Sequence, residues 1–319
     1  RLSVRAVMPQ LAGALERHSR LTDAVAQSRR PPTPVAPPAG AASDASPQTG
    51  AASPRSQNGG KPVFATVDGG LGRLVTATSA AAKADVRLGM TVRELRQTPY
   101  GWEAVAGPVP DPIRLNVDAV VVAVPAAPAS RLLREVEPAA AAALSGVGYA
   151  SVALAAFAFD DLDLPERSGF LAPAASGKAV KAATFFSRKW PHLGRRRTIV
   201  RVSMGRLGEE ALLQHDDDTL ARTALRELAE HLGRSLPEPL TQRIDRWGGA
   251  LPQYTPGHTM RVAAAREALR ARPGIAIAGA AVDGVGIAAC VASGRSAADE
   301  VAASAKPASR KEQLGSKAE

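Results

Sequence analysis

Two glycines near the end of the sequence have a spacing that could bind an anionic ligand. Gly284 and Gly286 belong to "IAIAGAAVDGVGIAACVASGRSAADEV", residues 275–301, which is typical of a buried strand, a glycine turn and a helix. A strand that passes through glycine into a helix presents free backbone N–H groups and the positive end of the helix dipole. Glycine also permits positive φ and lets a ligand lie close to the backbone. A plain tight connection would use the same two glycines, so the pattern alone leaves both interpretations open.

This turn comes too late in the sequence to begin a complete dinucleotide-binding unit. Such a unit needs a further strand after the helix, with an acidic residue that binds the ribose. Residues 302–319 look disordered and contain no such strand. We therefore expect the turn to complete a nucleotide-binding domain whose first strand lies elsewhere.

The other reactive side chains form no recognisable catalytic or metal-binding pattern. The single cysteine, Cys290, is predicted to be a small core residue, and it excludes an internal disulfide framework or a cysteine zinc site. This cysteine usage favours a reducing, cytoplasmic setting. His258 follows Gly257 in a predicted turn, where a surface or substrate-side position is favoured over acid–base catalysis. The sequence predicts no metal site, because the remaining histidines lack ligand spacing: His18, His192, His215 and His231.

The protein is basic, with 40 Lys and Arg against 30 Asp and Glu and a net charge of +10. A basic surface favours anionic partners such as phospholipid headgroups, nucleic acid or a polycarboxylate substrate. The densest cluster, "SRKWPHLGRRRTIVR" at 187–201, carries six cations. A solvated hairpin explains it, and attraction of carboxylates or anionic lipid is the alternative. Trp102, Trp190 and Trp247 are too dispersed for a base-stacking platform, so no nucleic-acid partner is expected.

Composition and hydrophobic patterning divide the chain into six segments. Residues 31–60 are rich in Pro, Ala and Ser and cannot bury enough apolar surface to offset the entropy of ordering. Pro138–Phe159 contains no charge, yet Gly146 and Gly148 interrupt it, so a short helix and a buried strand are favoured over a membrane span. The segments are a helical 1–30, a disordered 31–60, an α/β 61–140, a strand-rich 141–255, a second α/β 256–301 and a disordered 302–319.

Local patterns predict the elements within these segments. A helix is predicted over 9–29, and residues 62–82 predict a short strand, a glycine turn and a helix. Two strands are expected around a turn near Pro99–Gly101. The apolar run "VDAVVVAVP" at 117–125 is typical of a strand covered on both faces. The clearest helix is "DDDTLARTALRELAEHLG" at 216–233, with an acidic first turn and a glycine after its last turn.

Six stretches, in chain order, resemble the bacterial HemY-type protoporphyrinogen/coproporphyrinogen oxidases, which are flavoproteins of haem biosynthesis. They are "PVFATVDGGLGRLVTA", "ADVRLGMTVREL", "VVVAVPAAPASRLL", "TFFSRKWPHL", "RWGGALPQYTPGH" and "GAAVDGVGIAACVASGRSAA". The resemblance implies an α/β fold (α+β overall). It consists of an incomplete FAD/NAD(P)-binding Rossmann-like domain, an inserted mixed-sheet substrate domain and a helical region. In this arrangement 61–140 and 256–301 belong to the FAD-binding domain and 141–255 to the substrate domain.

The resemblance also implies a set of FAD-binding residues. The final turn would contact the isoalloxazine ring through Ala280, Val285, Gly286 and Ile287. The main chain of Val92 would approach the adenine, and Trp247 would lie near the flavin. Ala123 and Pro125, in "AVP", would end a strand beside the cofactor.

The activity implied by the resemblance is the oxidation of coproporphyrinogen III or protoporphyrinogen IX to the porphyrin, with dioxygen as the oxidant. No general base is needed, because gaining aromaticity drives the reaction, and none is predicted. A composition rich in Ala, Gly and Arg resembles that of GC-rich Gram-positive bacteria, which favours coproporphyrinogen III. We expect a cytoplasmic protein, and peripheral contact of residues 1–30 with the inner face of the membrane is an open alternative.

One feature departs from the family pattern. The chain has no N-terminal strand with G-x-G-x-x-G and no ribose-binding acid after it, so a polypeptide that truly began at Arg1 would bind FAD weakly. Two other classes of function therefore stay open. One is another flavin-dependent amine oxidase or desaturase of the same fold, and the other is a non-catalytic truncated fragment.

Overall fold

The computed structural model describes residues 2–18, 20, 22, 23, 25, 65–193 and 196–305. At the N-terminus lie two short helices, α1 (Val4–Val7) and α2 (Pro9–Leu15). The helix predicted over 9–29 is therefore interrupted after Leu15, whereas Thr22, Asp23 and Val25 are again helical, and residues 19, 21, 24 and 26–29 lie outside the described ones. The segment predicted to be disordered at 31–60 also lies outside them.

A three-stranded antiparallel sheet follows the helix α3 (Gly72–Ala82). Its order is β1 (Val92–Thr98), β2 (Gly101–Ala106) and β3 (Ile113–Val117). The turn predicted near Pro99–Gly101 connects β1 and β2 as expected. Residues 65–67 form no strand, so the part of the predicted "PVFA" strand that is described is absent.

The two α/β sections meet in a parallel pair of strands. β4 (Val120–Val122) pairs with β10 (Ile275–Ile277), Val120 lying opposite Ile275. Two sections that lie far apart in the chain, 61–140 and 256–301, therefore contribute strands to one sheet. β10 is fully buried, whereas Val121 of β4 is 38% exposed. Coverage of β4 on both faces is therefore incomplete, because the final helix, which ends this section of the chain, packs on the Val121 face mainly against Ala276 of β10.

Three helices pack against one face of the β4–β10 pair. α4 (Ala126–Leu133) and α5 (Pro138–Ser145) follow β4, and α8 (His258–Leu269) precedes β10. Together they enclose the first hydrophobic core, which includes Trp102 of β2 and Leu133 of α4. The final helix, α9 (Ile287–Ser304), follows β10 after the glycine turn. Residues 302–304, predicted to be disordered, are thus the last residues of a helix.

The inserted section is a five-stranded sheet with the strand order β6–β7–β8–β5–β9. Its pairings are antiparallel throughout, rather than mixed as predicted. The strands are β5 (Tyr149–Phe159), β6 (Gly169–Leu171), β7 (Val180–Phe185), β8 (Thr198–Met204) and β9 (Thr241–Pro252). The short helix α6 (Phe186–Lys189) and the long helix α7 (Asp217–Leu232) complete it. As predicted, the uncharged stretch at 138–159 is a helix followed by a strand. Within the described residues, no helix is both long and apolar enough to cross a membrane.

Helix α7 covers one face of this sheet and forms as its sequence predicts. The Asp216 carboxylate accepts a hydrogen bond from the Thr219 N–H (2.8 Å) and so caps the N-terminus. Gly233 ends the helix at φ 68°, in the left-handed region that favours glycine. The buried stripe of α7 includes Leu220 and Leu228, which pack into the second hydrophobic core with Phe157 of β5.

Candidate functional site

The turn from Gly279 to Gly286, between β10 and α9, has the backbone geometry that only glycine adopts readily. Gly279, Gly284 and Gly286 have φ values of 103°, 130° and 129°. The positive φ expected of the two glycines in the motif is therefore confirmed. A Cβ atom built on Gly286 would meet no atom within 4 Å. The backbone at the start of α9 thus borders open space that a ligand could fill.

Parallel pairing brings the end of β4 beside this turn. The Ala278 N–H donates to the Val122 carbonyl (3.1 Å), and a Cβ built on Gly279 would lie 3.7 Å from the Ala123 carbonyl oxygen. Because the carboxyl ends of parallel strands lie at one edge, both connections leave the sheet together. The predicted site residues gathered at this edge are Ala123, Pro125, Ala280, Val285, Gly286 and Ile287.

The turn presents both apolar side chains and backbone donors. Val285 and Ile287 are about half exposed. The Cys290 N–H donates to the Gly286 carbonyl (3.0 Å), which marks the first hydrogen bond of α9. The N–H groups before it have no partner within the helix, as at any helix start. Apolar side chains beside such donors suit a flat ring with a polar edge.

Three further side chains, to which the sequence assigned no role, bond to the turn: Tyr254, Arg266 and Ser293. The Tyr254 hydroxyl donates a hydrogen bond to the Ala280 carbonyl. The Arg266 guanidinium of α8 donates to both carboxylate oxygens of Asp283 (2.9 and 2.7 Å). The Ser293 hydroxyl donates to the same carboxylate and accepts from the Gly279 N–H (2.8 Å). Tyr254, Asp283 and Ser293 each lie within a family-like stretch, although none of them was predicted to have a role, and Arg266 lies outside all six stretches.

Tyr254 is itself fixed by a buried histidine. His258 begins α8, is 2% exposed and stacks on the Tyr254 ring, with centroids 4.1 Å apart and planes 15° apart. The predicted surface position of His258 is therefore wrong; its substrate-side position stays a prediction. Burial, followed by the nearby Arg261 charge, lowers the pKa of His258. Burial raises the pKa of Tyr254 to about 12, so its hydroxyl stays protonated and remains a donor at neutral pH.

Three other predicted residues lie away from these contacts or differ from expectation. Trp247 is 56% exposed on β9, and Val92 begins β1 opposite Ala106. No hydrogen bond or strand pairing in the described part of the chain joins either of them to the turn. Cys290 is half-buried with its Sγ 3.9 Å from the Gly284 carbonyl oxygen, so its predicted core position is wrong.

Comparison with known proteins defines the class to which this fold and turn belong. The sequence model of the flavin containing amine oxidoreductases matches residues 10–302. The chain belongs to that family, and family membership implies FAD as the cofactor.

Individual relatives are more specific. The coproporphyrinogen III oxidase of Mycobacterium tuberculosis (strain H37Rv) is 32% identical over 300 residues, which are 92% of this chain and 58% of that protein. The coproporphyrinogen III oxidase of Bacillus subtilis (strain 168) is 31% identical over 193 residues, 59% of this chain and 40% of that protein. The chain thus spans less than two thirds of the length of these relatives.

A solved structure supports the fold. A candidate protoporphyrinogen oxidase from Exiguobacterium sp. 255-15 superposes with a TM-score of 0.72 at 24% identity, covering 92% of this chain and 58% of that one. At this identity the likeness concerns the fold alone.

The residues at the turn fit one part of FAD. The open space at Gly286, the half-exposed Val285 and Ile287 and the helix N-terminus suit the isoalloxazine ring. A pyrophosphate requires a glycine-rich turn after a first strand, which the described residues do not include. The site described is therefore a candidate for the ring end of the cofactor.

Proposed function

We propose that the complete protein is an FAD-dependent oxidase that converts coproporphyrinogen III, or protoporphyrinogen IX, to the porphyrin in haem biosynthesis. The observation that carries this proposal is the glycine turn at the carboxyl edge of the β4–β10 pair, in a chain of the flavin family. The names of the relatives support a tetrapyrrole substrate. A net charge of +10 supports the tetracarboxylate, coproporphyrinogen III.

Within this function the turn holds the ring of the flavin. Val285 and Ile287 would contact the ring face, and the N–H groups at the start of α9 would stabilise negative charge at the polar edge of the ring. FAD, when bound, would supply the hydride acceptor for oxidation of the substrate, with dioxygen as the terminal oxidant. The remaining task of the protein is to position the macrocycle and exclude water, so no catalytic acid or base is assigned.

The two α/β sections, 61–140 and 256–301, would then form part of the FAD-binding domain, with 141–255 as the substrate domain. Val92 near the adenine and Trp247 near the flavin belong to the same proposal. We further propose a cytoplasmic protein, with peripheral contact of residues 1–30 with the membrane as the open alternative.

A glycine substitution tests the turn. Gly286→Ala places a side chain on a backbone at φ 129°, in the open space that the ring would occupy. Lumiflavin is the isoalloxazine ring without ribitol or phosphates, so its binding reports on this turn alone. We expect Gly286→Ala to weaken lumiflavin binding about tenfold or more, measured by quenching of flavin fluorescence, since such backbone strain costs about 1–3 kcal/mol.

The matched control is Gly208→Ala, because Gly208 also has positive φ (86°) and open space around it but lies in the loop after β8. Equal weakening in both variants would contradict the assignment of the turn. Coproporphyrinogen III, followed by porphyrin fluorescence, tests the reaction. Release of peroxide with an amine substrate and no porphyrin formation would instead favour an amine oxidase.

A further inference from the structure

The five-stranded sheet has one covered face and one open face. Side chains alternate along a strand, so neighbouring residues of β9 point to opposite sides. Ile244 packs against the core under α7, and Arg246 bonds to Asp217 at the start of α7. Arg243 and Trp247 occupy the alternate positions of β9. They therefore lie on the face that α7 does not cover.

Two arginines flank the middle of this open face. Ala156 of β5 lies opposite Arg201 of β8 on one side and opposite Arg243 of β9 on the other. Adjacent strands are about 4.8 Å apart, which separates the two arginine Cα atoms by about 10 Å. Between and beside them, this face carries the small side chains Ala156, Ala158, Ala182, Thr184 and Ser203, together with the larger Leu154 and Ile199 and the carboxylate of Asp245. A flat molecule can lie on such a face with its anionic groups beside the guanidinium groups.

The two guanidinium groups are available to a ligand. Arg201 is exposed, and no carboxylate among the described residues lies within ion-pair distance of it. Its guanidinium carbon lies 4.9 Å from the centre of the Phe186 ring, a contact that orients the group without neutralising it. Arg243 has one partner, Asp245 at 2.7 Å, and its side chain is 77% exposed. Exposed pairs of this kind are weak, so a ligand carboxylate can replace Asp245.

The strand that carries Arg243 also leads to the glycine turn. Trp247 lies four residues further along β9, about 13 Å away on the same face. Beyond the end of β9, the Tyr254 hydroxyl holds the Ala280 carbonyl. The open face thus extends from the two arginines, past an exposed tryptophan, toward the turn.

We propose that this face binds the carboxylates of the tetrapyrrole, with Arg201 and Arg243 each holding one, an assignment that rests on the proposed function. Guanidinium groups bind carboxylates through two parallel hydrogen bonds, so each fixes the orientation of its substituent as well as its charge. Two such anchors favour a tetracarboxylate over a dicarboxylate, because a dicarboxylate can occupy both anchors in fewer orientations. Arg201 and Arg243 are therefore specificity-determining residues for the side chains of the macrocycle.

Binding of the porphyrin product tests the anchors without any turnover. The probe is coproporphyrin III, with its tetramethyl ester as a neutral analogue, and binding is followed by the change in porphyrin fluorescence. We expect Arg201→Gln and Arg243→Gln each to weaken binding of the acid about tenfold, as for loss of a charged hydrogen-bonded pair, and to leave the ester unchanged. Arg222→Gln makes the same charge change at an exposed position of α7, on the other side of the sheet from the open face. It should leave binding of both the acid and the ester unchanged.

The outcomes separate the anchors from the function itself. If the unmodified chain binds coproporphyrin but both arginine variants bind it equally well, the anchor assignment is overturned while the proposed function stands. An equal loss for acid and ester would also overturn it, since that result indicates a distorted sheet. If the unmodified chain binds neither coproporphyrin III nor its ester, the proposed tetrapyrrole substrate is itself contradicted.

Discussion

A small number of buried side chains determine where the candidate flavin turn lies. Tyr254 donates to the Ala280 carbonyl, and His258 stacks behind its ring. Neither ring nitrogen of His258 has a hydrogen-bond partner among the described residues. A protonated imidazole would therefore be a buried cation next to Arg261, which explains why the pKa of His258 is lowered. Protonation of the histidine is therefore unfavourable in the folded state.

This arrangement predicts acid sensitivity. Since the folded state disfavours the proton, unfolded chains bind it more tightly, and the free energy of unfolding should fall as the pH drops below about 6.5, by at most about 1.4 kcal/mol per pH unit. His258→Phe keeps a stacked ring and removes the titration, so urea unfolding from pH 8 to 5 should show a smaller loss of stability. Parallel profiles for the two proteins would contradict this role of His258.

At this scale the sequence was informative about backbone geometry but not about burial. Gly284 and Gly286 adopt the positive φ expected of a turn, because glycine spacing is a local signal. Cys290 and His258 were misplaced because their environments are made by Tyr254 and the turn itself. Such contacts join residues that no local pattern connects.

Among the elements, helix α8 controls the turn through one ion pair. Arg266 donates to both oxygens of Asp283, and the Ser293 hydroxyl of α9 donates to the same carboxylate. Both partners are largely shielded, with side-chain exposures of 35% and 26%. The pair therefore joins α8, the turn and α9 into one unit.

Removing this pair should loosen the turn selectively. We expect Arg266→Gln to increase amide hydrogen exchange at residues 279–286, because the Asp283 carboxylate loses its bidentate partner. Arg270→Gln is the matched control, since Arg270 directly follows the last residue of α8, one turn beyond Arg266, and pairs with Glu267 at an exposed position. A similar increase in both variants would indicate a general weakening of α8 instead.

Elements with complete local signals were predicted well. The helix at Asp217–Leu232 has an N-cap, an apolar stripe and a terminal glycine within its own sequence. Coverage of β4 and the length of α2 were predicted less well, because both depend on what packs against them. The same reasoning applies to the site: the glycine turn and the basic cluster that includes Arg201 were identified, whereas Arg266 and the position of Arg243 on the same face as Arg201 required the fold.

For the whole molecule, the two large hydrophobic cores among the described residues indicate two units of stability. The first core surrounds the β4–β10 pair and includes Leu133, and the second lies between the five-stranded sheet and α7 and includes Phe157. Both of these side chains are almost fully buried. A cavity made in one core should therefore destabilise mainly its own unit.

Paired truncations test this division. Phe157→Ala should cost about 3–5 kcal/mol and raise hydrogen exchange in β5 and β8 while leaving β4 and β10 protected. Leu133→Ala should cost about 2–5 kcal/mol and give the reverse pattern. Increased exchange throughout the chain in either variant would show that the protein unfolds as one unit.

The hydrogen bond from the Trp102 indole to the Pro273 carbonyl (3.1 Å) joins residues that are 171 positions apart. During synthesis the indole emerges from the ribosome long before its acceptor exists. Strands β1–β3 therefore lack this hydrogen-bond acceptor until the whole inserted sheet has been translated. Closing so large a loop comes late in assembly, and until then the edge where the flavin turn will lie has not formed.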